Sequence, residues 1–217
     1  MSDIKRTYVW EFPVRFTHWV NVLCIIVLSI TGYYISNPFI YALSSKQQIM
    51  GLVRLTHFIA AYTFMMSVII RLYWSLFGNE YACIKEWFPF SGEKLRTIGA
   101  ELKFYLLISK KPLPNTGHTS LAGITILLVY AGFIFQIISG FAMYSLTHSG
   151  VIWTALGGWL LAYIDLPMIK LYHHLAMYVI GAFIMGHIYI AWFADIRERN
   201  GVIGSIFSGY KFMSNHK

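Results

Sequence analysis

The stretch HHLAMYVIGAFIMGH, residues 173 to 187, begins with two histidines, ends with a third and has no charged residue between them. Fourteen helical steps make nearly four turns, so His173 and His187 would share one helix face about 21 Å apart along the axis. His174 is thirteen steps from His187 and misses that face by about 140°. The stretch therefore predicts an apolar helix with one imidazole near each end of the same face.

The composition of the whole chain is that of an integral membrane protein. Of its 217 residues, 57% are hydrophobic and 12% are charged, and the mean hydropathy is +0.58. A soluble domain is typically about a quarter charged. We therefore interpret residues 1–217 as a single membrane domain. The two cysteines, Cys24 and Cys83, provide no disulfide framework and are expected to be free thiols.

Four apolar stretches are long enough to cross a bilayer, which takes about 20 residues of helix. They lie at about residues 18–35, 51–77, 119–144 and 171–194. The charged tail before them has no small-residue cleavage site and is expected to be retained. A fifth apolar run, residues 150–163, is short and contains a glycine pair, so we expect an interfacial or re-entrant segment. The predicted fold class is an all-α membrane protein with a bundle of four transmembrane helices.

The basic residues are distributed unevenly between the two sides of these spans. Fourteen of the 17 lysines and arginines fall in the N-terminal tail, near or within the 78–118 loop, or at the C-terminus. Only Lys46, Arg54 and Lys170 fall on the opposite side, which includes the 145–170 segment. The positive-inside rule therefore predicts that both termini are cytoplasmic. This topology accounts for the net charge of +8, and nucleic-acid binding is not expected.

Part of the 78–118 loop has the composition of an interfacial helix. Residues 93–108 mix basic and apolar side chains. We predict an amphipathic helix there, lying at the cytoplasmic surface with its basic residues toward the lipid headgroups.

Four of the eight histidines fall at two depths within the predicted spans. His18 and His187 lie near the cytoplasmic face, whereas His57 and His173 lie near the outer face. A single histidine in a span often only bonds a neighbouring carbonyl, but four that pair by depth favour another explanation. Two facing imidazoles at one depth are what bis-histidine ligation of a b-type haem requires. We therefore predict an outer haem between His57 and His173 and an inner haem between His18 and His187.

A basic residue precedes three of these histidines by three positions. The motifs are RFTH, RLTH and KLYH, and the basic residues are Arg15, Arg54 and Lys170. Each would lie one helical turn toward the membrane surface, where it suits an anionic haem propionate. Ordinary snorkelling of a basic residue at the end of a span explains each one alone nearly as well.

Counting fourteen residues onward from the first two histidines identifies two further positions. The count from His18 reaches Gly32, where the missing side chain would let the outer haem approach the backbone. The count from His57 reaches Arg71, which is expected to contact the inner haem or a quinone. The third span has no histidine, and its glycines are expected to serve close helix packing. They are Gly123, Gly132 and Gly140.

Two stretches of the chain together resemble sequence signatures of one family. RFTHWVNVLCIIVLSITG, residues 15–32, matches the first signature at Arg15, His18, Trp19 and the Thr31-Gly32 pair, and HHLAMYVIGAFIMGH resembles the second. RLTHF and the closing DIRERNGVIGSIFSGY extend the likeness over essentially the whole chain. The family is the b-type cytochrome subunit of membrane-bound nickel–iron uptake hydrogenases.

The resemblance implies two haem b groups whose axial ligands are the four histidines. It also implies that the chain anchors the iron–sulfur small subunit and the large subunit of a hydrogenase at the periplasmic side of the bacterial inner membrane. Electrons would pass from the outer to the inner haem and then to the quinone pool. From the depths of the ligands and the direction of this path, we further expect quinone to be reduced near the cytoplasmic face. No catalytic residue is expected in this electron-transfer subunit. The periplasmic segment 145–170 would either dock the partner or lie in the headgroup layer.

The chain departs from the family pattern at three positions, none of them a ligand position. Tyr178 stands where tryptophan is usual, Lys170 where Arg or Ser is common, and His174 where Arg is frequent. The roles of His148 and His174 stay open.

Two other functions stay open at this point. The first is that the chain is a cytochrome b anchor of another respiratory dehydrogenase, such as formate dehydrogenase. Such an anchor would have the same haem absorption but would co-purify with a different catalytic partner. A transporter with a histidine relay would hold no haem. Transporters usually show two repeated halves, and beyond the RxTH echo the sequence has no such repeat.

Overall fold

The computed structural model describes residues 4–39, 48–88, 92–109 and 119–214. The elements there follow in the order β1 (Ile4–Tyr8), α1 (Phe12–Ser36), α2 (Ile49–Phe77), α3 (Gly92–Tyr105), α4 (Ser120–Tyr144), α5 (Val151–Leu156), α6 (Leu166–Glu198), α7 (Val202–Ser208) and β2 (Tyr210–Ser214). Two 3₁₀ turns, Ile84–Trp87 and Gly158–Ala162, join them.

Helices α1, α2, α4 and α6 are long and apolar enough to cross a membrane, so the prediction of four such helices is confirmed. They contain 25, 29, 25 and 33 residues. At 1.5 Å per residue, each exceeds the ~30 Å hydrocarbon core. Helices α1 and α6 extend beyond the predicted spans because apolar runs stop at charged residues such as Arg15 and Asp195, whereas the backbone hydrogen bonds continue past them.

A helix, α3, is present where the interfacial helix was predicted and ends three residues earlier than expected. Its place at the membrane surface stays a prediction. The helix is followed by Leu107, whose φ of 63° is left-handed and incompatible with continuing the helix. Some of the predicted features lie outside the described residues. They are Lys46 and the loop residues 89–91 and 110–118.

The fifth apolar run forms α5 and the 3₁₀ turn Gly158–Ala162, so the prediction that it is not a long fifth span is confirmed. A side chain at Gly157 would overlap the carbonyl oxygen of Ile138 on α4, so this contact requires glycine. Trp153 of α5 stacks on Phe141 of α4 with ring centroids 5.9 Å apart. The segment therefore packs directly against α4.

The chain divides into two compact units. The cavity unit comprises Thr17–Ile70 and Gly132–Ile180, and the terminal unit comprises Met1–Phe16, Arg71–Ala131 and Gly181–Lys217. Within the cavity unit, Phe64 of α2 and Phe133 of α4 pack edge to face at 4.9 Å. Both rings are buried, and this pairing joins two of the long helices.

The terminal unit contains an antiparallel ribbon that the sequence analysis missed. Strands β1 and β2 pair in a register that runs from Ile4 opposite Ser214 to Tyr8 opposite Tyr210. Beside the ribbon, Gly209 has a φ of 88°, and a side chain there would overlap the Tyr8 ring. The ribbon therefore joins the two ends of the described chain.

Two carboxylates hold the terminal unit together by accepting hydrogen bonds from the chain itself. Glu11 accepts from Trp74 Nε1 at 2.8 Å and from the backbone N–H of Asn79 at 2.9 Å. Glu101 of α3 is 2% exposed and accepts from the backbone N–H groups of Ser120 and Leu121 at 3.1 and 2.7 Å. These two donors belong to the first turn of α4, where a negative charge also complements the helix dipole.

The surroundings of Glu101 also raise the pKa of a tyrosine of α3. Burial, together with the nearby carboxylates of Glu198 and Glu101, raises the pKa of Tyr105 to about 12. The phenol is therefore neutral throughout the physiological pH range.

Candidate functional site

The cavity unit encloses a cavity of about 1060 Å³. Its lining is mostly apolar and comes from α1, α2, α4, α6 and the residues that follow α4. Pockets for small organic ligands measure roughly 300–1,000 Å³, so this cavity has room for a large cofactor. The five residues predicted to surround the outer haem all line it. They are Gly32, Arg54, His57, Lys170 and His173.

His57 of α2 is held by a hydroxyl of α1. Its Nδ1 lies 2.8 Å from Thr31 Oγ1, and the same hydroxyl donates to the carbonyl of Val27 at 2.6 Å. A hydroxyl has one hydrogen, and when the Val27 carbonyl accepts it, Thr31 Oγ1 can accept from the Nδ1–H of His57. This tautomer leaves Nε2 of His57 with a free lone pair.

His173 of α6 is held in the same way by α4. Its Nδ1 lies 2.7 Å from Ser139 Oγ, which donates to the carbonyl of Phe135 at 2.7 Å. Ser139 can therefore accept from the Nδ1–H of His173, and this tautomer leaves Nε2 free. Gln136, which is also on α4, donates from Nε2 to the backbone carbonyl of His173 at 3.1 Å.

A glycine follows each hydroxyl residue and faces the ring of the same histidine. A Cβ at Gly32 would lie 3.3 Å from His57 Cε1, and one at Gly140 would lie 3.6 Å from His173 Cε1. Among the described residues, no atom lies within 4 Å of a Cβ built at Gly132. Gly32 lines the cavity as well as facing an imidazole, and Gly140 faces a histidine where helix packing was expected.

Cationic and imidazole side chains line part of the cavity. Arg54 and Lys170, each three residues before its histidine, are exposed there, and His148 and His174 also line it. His174 Nδ1 lies 3.3 Å from the Lys170 carbonyl, and its buried Nε2 has no hydrogen-bond partner among the residues that the structure describes. No aspartate or glutamate is among the lining residues. The polar part of this lining therefore suits an anionic group.

These features fit a b-type haem bound to His57 and His173. Metal-ligating histidines usually donate the other ring N–H to a neighbouring acceptor, as both of these can. The cavity is mostly apolar and large, and basic residues are available for propionates. The donor set therefore agrees with the outer haem predicted from the sequence, and the ligation itself stays a prediction.

The predicted inner pair falls in different units. His18 belongs to the cavity unit, where its ring meets Trp19 edge-on at 5.2 Å. His187 belongs to the terminal unit, where it stacks with Phe183 at 5.7 Å. Their pairing around a second haem stays a prediction.

The basic residues predicted near the inner haem have neighbours in the terminal unit. Arg15 donates from Nη1 to the carbonyl of Phe207. Arg71 is 6% exposed, and both of its Nη atoms lie 3.4 Å from the carbonyl oxygen of Ala82. Its guanidinium also lies 5.0 Å above the Trp87 ring. Roles for Arg15 at a propionate and for Arg71 at a haem or quinone stay predictions.

The contacts of the Thr31 and Ser139 hydroxyls with the histidines were not predicted from the sequence. Both precede a glycine, and this shared pairing is the signal that could have identified them. The signal is weak because Ser and Thr in apolar helices commonly bond only their own backbone, as Thr63 does to the Ile59 carbonyl at 2.9 Å.

Comparisons with known proteins identify the family of the chain. A family model described as prokaryotic cytochrome b561 matches residues 9–209. A protein of Cupriavidus necator named "Probable Ni/Fe-hydrogenase B-type cytochrome subunit" is 34% identical over 218 residues, which cover 97% of this chain and 88% of that protein. A protein of the same name from Rhizobium leguminosarum bv. viciae is 34% identical, with coverage of 98% and 92%.

A third relative comes from Escherichia coli and is named "Probable Ni/Fe-hydrogenase 1 B-type cytochrome subunit". It is 32% identical over 225 residues, which cover 97% of this chain and 92% of the relative. The matches thus extend over nearly the full length of both chains. The chain belongs to the prokaryotic cytochrome b561 family.

Proposed function

We propose that this chain is the haem b electron-transfer and membrane-anchor subunit of a nickel–iron hydrogenase. It would carry electrons from the hydrogenase iron–sulfur subunit to membrane quinone. The observation that supports this most strongly is the cavity lined by His57 and His173, whose Nδ1 atoms are both engaged by hydroxyls. The names of the relatives support a hydrogenase as the partner.

Haem b, when bound, supplies reversible one-electron transfer. The residues of this chain would hold it: His57 and His173 would bind the iron through Nε2, and Arg54 and Lys170 would pair with the propionates. The apolar lining would exclude water and so help to set the reduction potential. We propose a second haem b at His18 and His187, with Arg15 and Arg71 as its basic neighbours.

We also propose a topology with both termini and the 78–118 loop in the cytoplasm. The pairing of β1 with β2 supports termini on one side, because a ribbon of this kind joins segments in the same compartment. The excess of basic residues in the same segments supports the cytoplasmic side. The hydrogenase small and large subunits would then bind at the periplasmic face of the inner membrane, beside segment 145–170.

Quinone would be reduced near the cytoplasmic face, so that hydrogen oxidised outside and protons taken up inside generate a proton-motive force. The depth of the predicted inner haem motivates this assignment. The site would be tested with a quinone-site inhibitor. Inhibition of reoxidation of the inner haem is expected, and inhibitor bound beside the outer haem would contradict the assignment.

The decisive experiment is purification in mild detergent with any accompanying subunits, followed by reduction under hydrogen. We expect hydrogen alone to reduce b-type haem at two haems per chain, as measured by the difference spectrum and the haem content. Haem that is reduced only by dithionite, with a formate-oxidising partner present, would favour the anchor of another dehydrogenase. A chain that binds no haem would contradict the proposal and favour the histidine-relay transporter.

A further inference from the structure

The two histidines that line the cavity share a local arrangement that the sequence motifs do not include. In each case a hydroxyl residue followed by glycine on one helix receives the imidazole of another helix. The pairs are Thr31-Gly32 of α1 with His57 of α2, and Ser139-Gly140 of α4 with His173 of α6. The hydroxyl contacts the ring at Nδ1, and the glycine faces the ring edge at Cε1.

We propose that Thr31 and Ser139 are positioning residues that fix the ring orientation and tautomer of the two histidines and lower the reduction potential of the haem they bind. This inference rests on the proposed function, since it requires that His57 and His173 are haem ligands. It adds two residues whose hydroxyls act on the cofactor through the imidazoles and not by touching it.

The direction of the effect follows from the hydrogen-bond polarity. A histidine that binds iron through Nε2 carries its remaining hydrogen on Nδ1. Each hydroxyl has a carbonyl of its own helix as acceptor for its hydrogen, at 2.6 Å for Thr31 and 2.7 Å for Ser139, so its oxygen then accepts from the histidine. An acceptor at the Nδ1–H raises the basicity of the imidazole as a ligand. A more basic ligand favours ferric iron, which carries the higher charge, and so lowers the potential.

Because Thr31 and Ser139 are buried, water cannot easily replace their hydroxyls. Thr31 is 9% exposed and Ser139 is fully buried, so the Nδ1–H of each histidine would have no water to replace a lost hydroxyl. Loss of such a partner typically costs 10–100-fold in metal affinity. If the ferric form loses tenfold more affinity than the ferrous form, the midpoint potential rises by about 59 mV.

The test compares hydroxyl-deleting and hydroxyl-keeping variants of the same residues in the intact complex. Thr31→Val and Ser139→Ala remove the hydroxyls, whereas Thr31→Ser and Ser139→Thr keep them. Thr63→Val and Ser75→Ala are matched controls, because these hydroxyls bond only helix carbonyls, at 2.9 and 2.6 Å. The readouts are haem content and the midpoint potential in a dithionite titration, neither of which requires hydrogenase activity.

We expect Thr31→Val and Ser139→Ala to raise the potential of one haem by tens of millivolts, about 59 mV per tenfold change in relative affinity. The hydroxyl-keeping variants and the controls should retain the wild-type potential. If the deletion variants lose the haem outright, retention by Thr31→Ser and Ser139→Thr still supports the inference. Equal loss in the keeping variants would overturn it.

The outcomes also separate this inference from the proposed function. Wild-type potentials in both deletion variants would overturn the positioning role and leave the haem cytochrome intact. A wild-type chain without haem would overturn both.

Discussion

The cavity unit and the terminal unit use buried polar groups in opposite ways. In the terminal unit, Glu101 accepts hydrogen bonds from the backbone at the start of α4, so it stabilises the chain itself. In the cavity unit, Thr31 and Ser139 engage only one nitrogen of each imidazole and leave the other available beside a large cavity. The comparison separates two roles of buried polarity: one holds the fold together and the other prepares a binding site.

The largest effect is expected from removing the histidines that line the cavity. His57→Ala or His173→Ala should abolish binding of one haem and remove its contribution from the reduced-minus-oxidised spectrum, because one axial ligand is lost. Tyr172→Phe is the neighbouring control and should keep the wild-type haem content. Unchanged haem content in both alanine variants would contradict the role of the cavity unit as a haem-binding site.

A large effect on stability without an effect on haem is expected in the terminal unit. Glu101→Ala removes two charge-assisted hydrogen bonds and should cost about 2 kcal/mol, a fall in Tm of about 4–8 °C for a chain of this size. Thermal unfolding in detergent measures the fall, and the exposed Lys103→Ala on the same helix is the control. A shift in the haem potential of Glu101→Ala would contradict the separation of roles.

The two glycines that face the histidines should differ in how well they tolerate substitution by alanine. At Gly32 an added Cβ would lie 3.3 Å from the His57 ring, so Gly32→Ala should displace the imidazole and cost about 1 kcal/mol. At Gly140 the corresponding distance of 3.6 Å is ordinary contact, so Gly140→Ala should be tolerated. The effects of both substitutions are measured by haem content and by the haem absorption spectrum, with Gly132→Ala as the control. Equal effects of alanine at all three positions would contradict the expected difference between Gly32 and Gly140.

The smallest effect concerns the pH dependence of the terminal unit. Because the pKa of Tyr105 is raised to about 12, its contribution to stability is fully present below its ordinary pKa of about 10 and is lost as the pH rises toward 12. The difference in phenolate absorbance between wild type and Tyr105→Phe should therefore appear near pH 12. Tyr163→Phe, which removes an exposed phenol, is the comparison variant. A midpoint for Tyr105 near pH 10 would contradict the prediction.

The four long helices and α3 could be predicted from the sequence because length and apolar composition decide them locally. The common cavity lined by His57 and His173 also agrees with the sequence, since their depths follow from the order of the spans. The hydroxyls of Thr31 and Ser139 could not be assigned, because only tertiary contact distinguishes them from a hydroxyl such as that of Thr63. Pairing of five-residue strands at opposite ends of the chain gives no local signal either.

The ribbon of β1 and β2 has a consequence for biosynthesis. Tyr8 leaves the ribosome 202 residues before its partner Tyr210. At a synthesis rate of ~5–20 residues per second, the first strand waits about 10–40 s for the second. The ribbon can close only after α6 has been made, so its closure shows that all four long helices of the described chain have been synthesised. A chain released early keeps an unpaired strand edge, which is a target for quality-control proteases and chaperones.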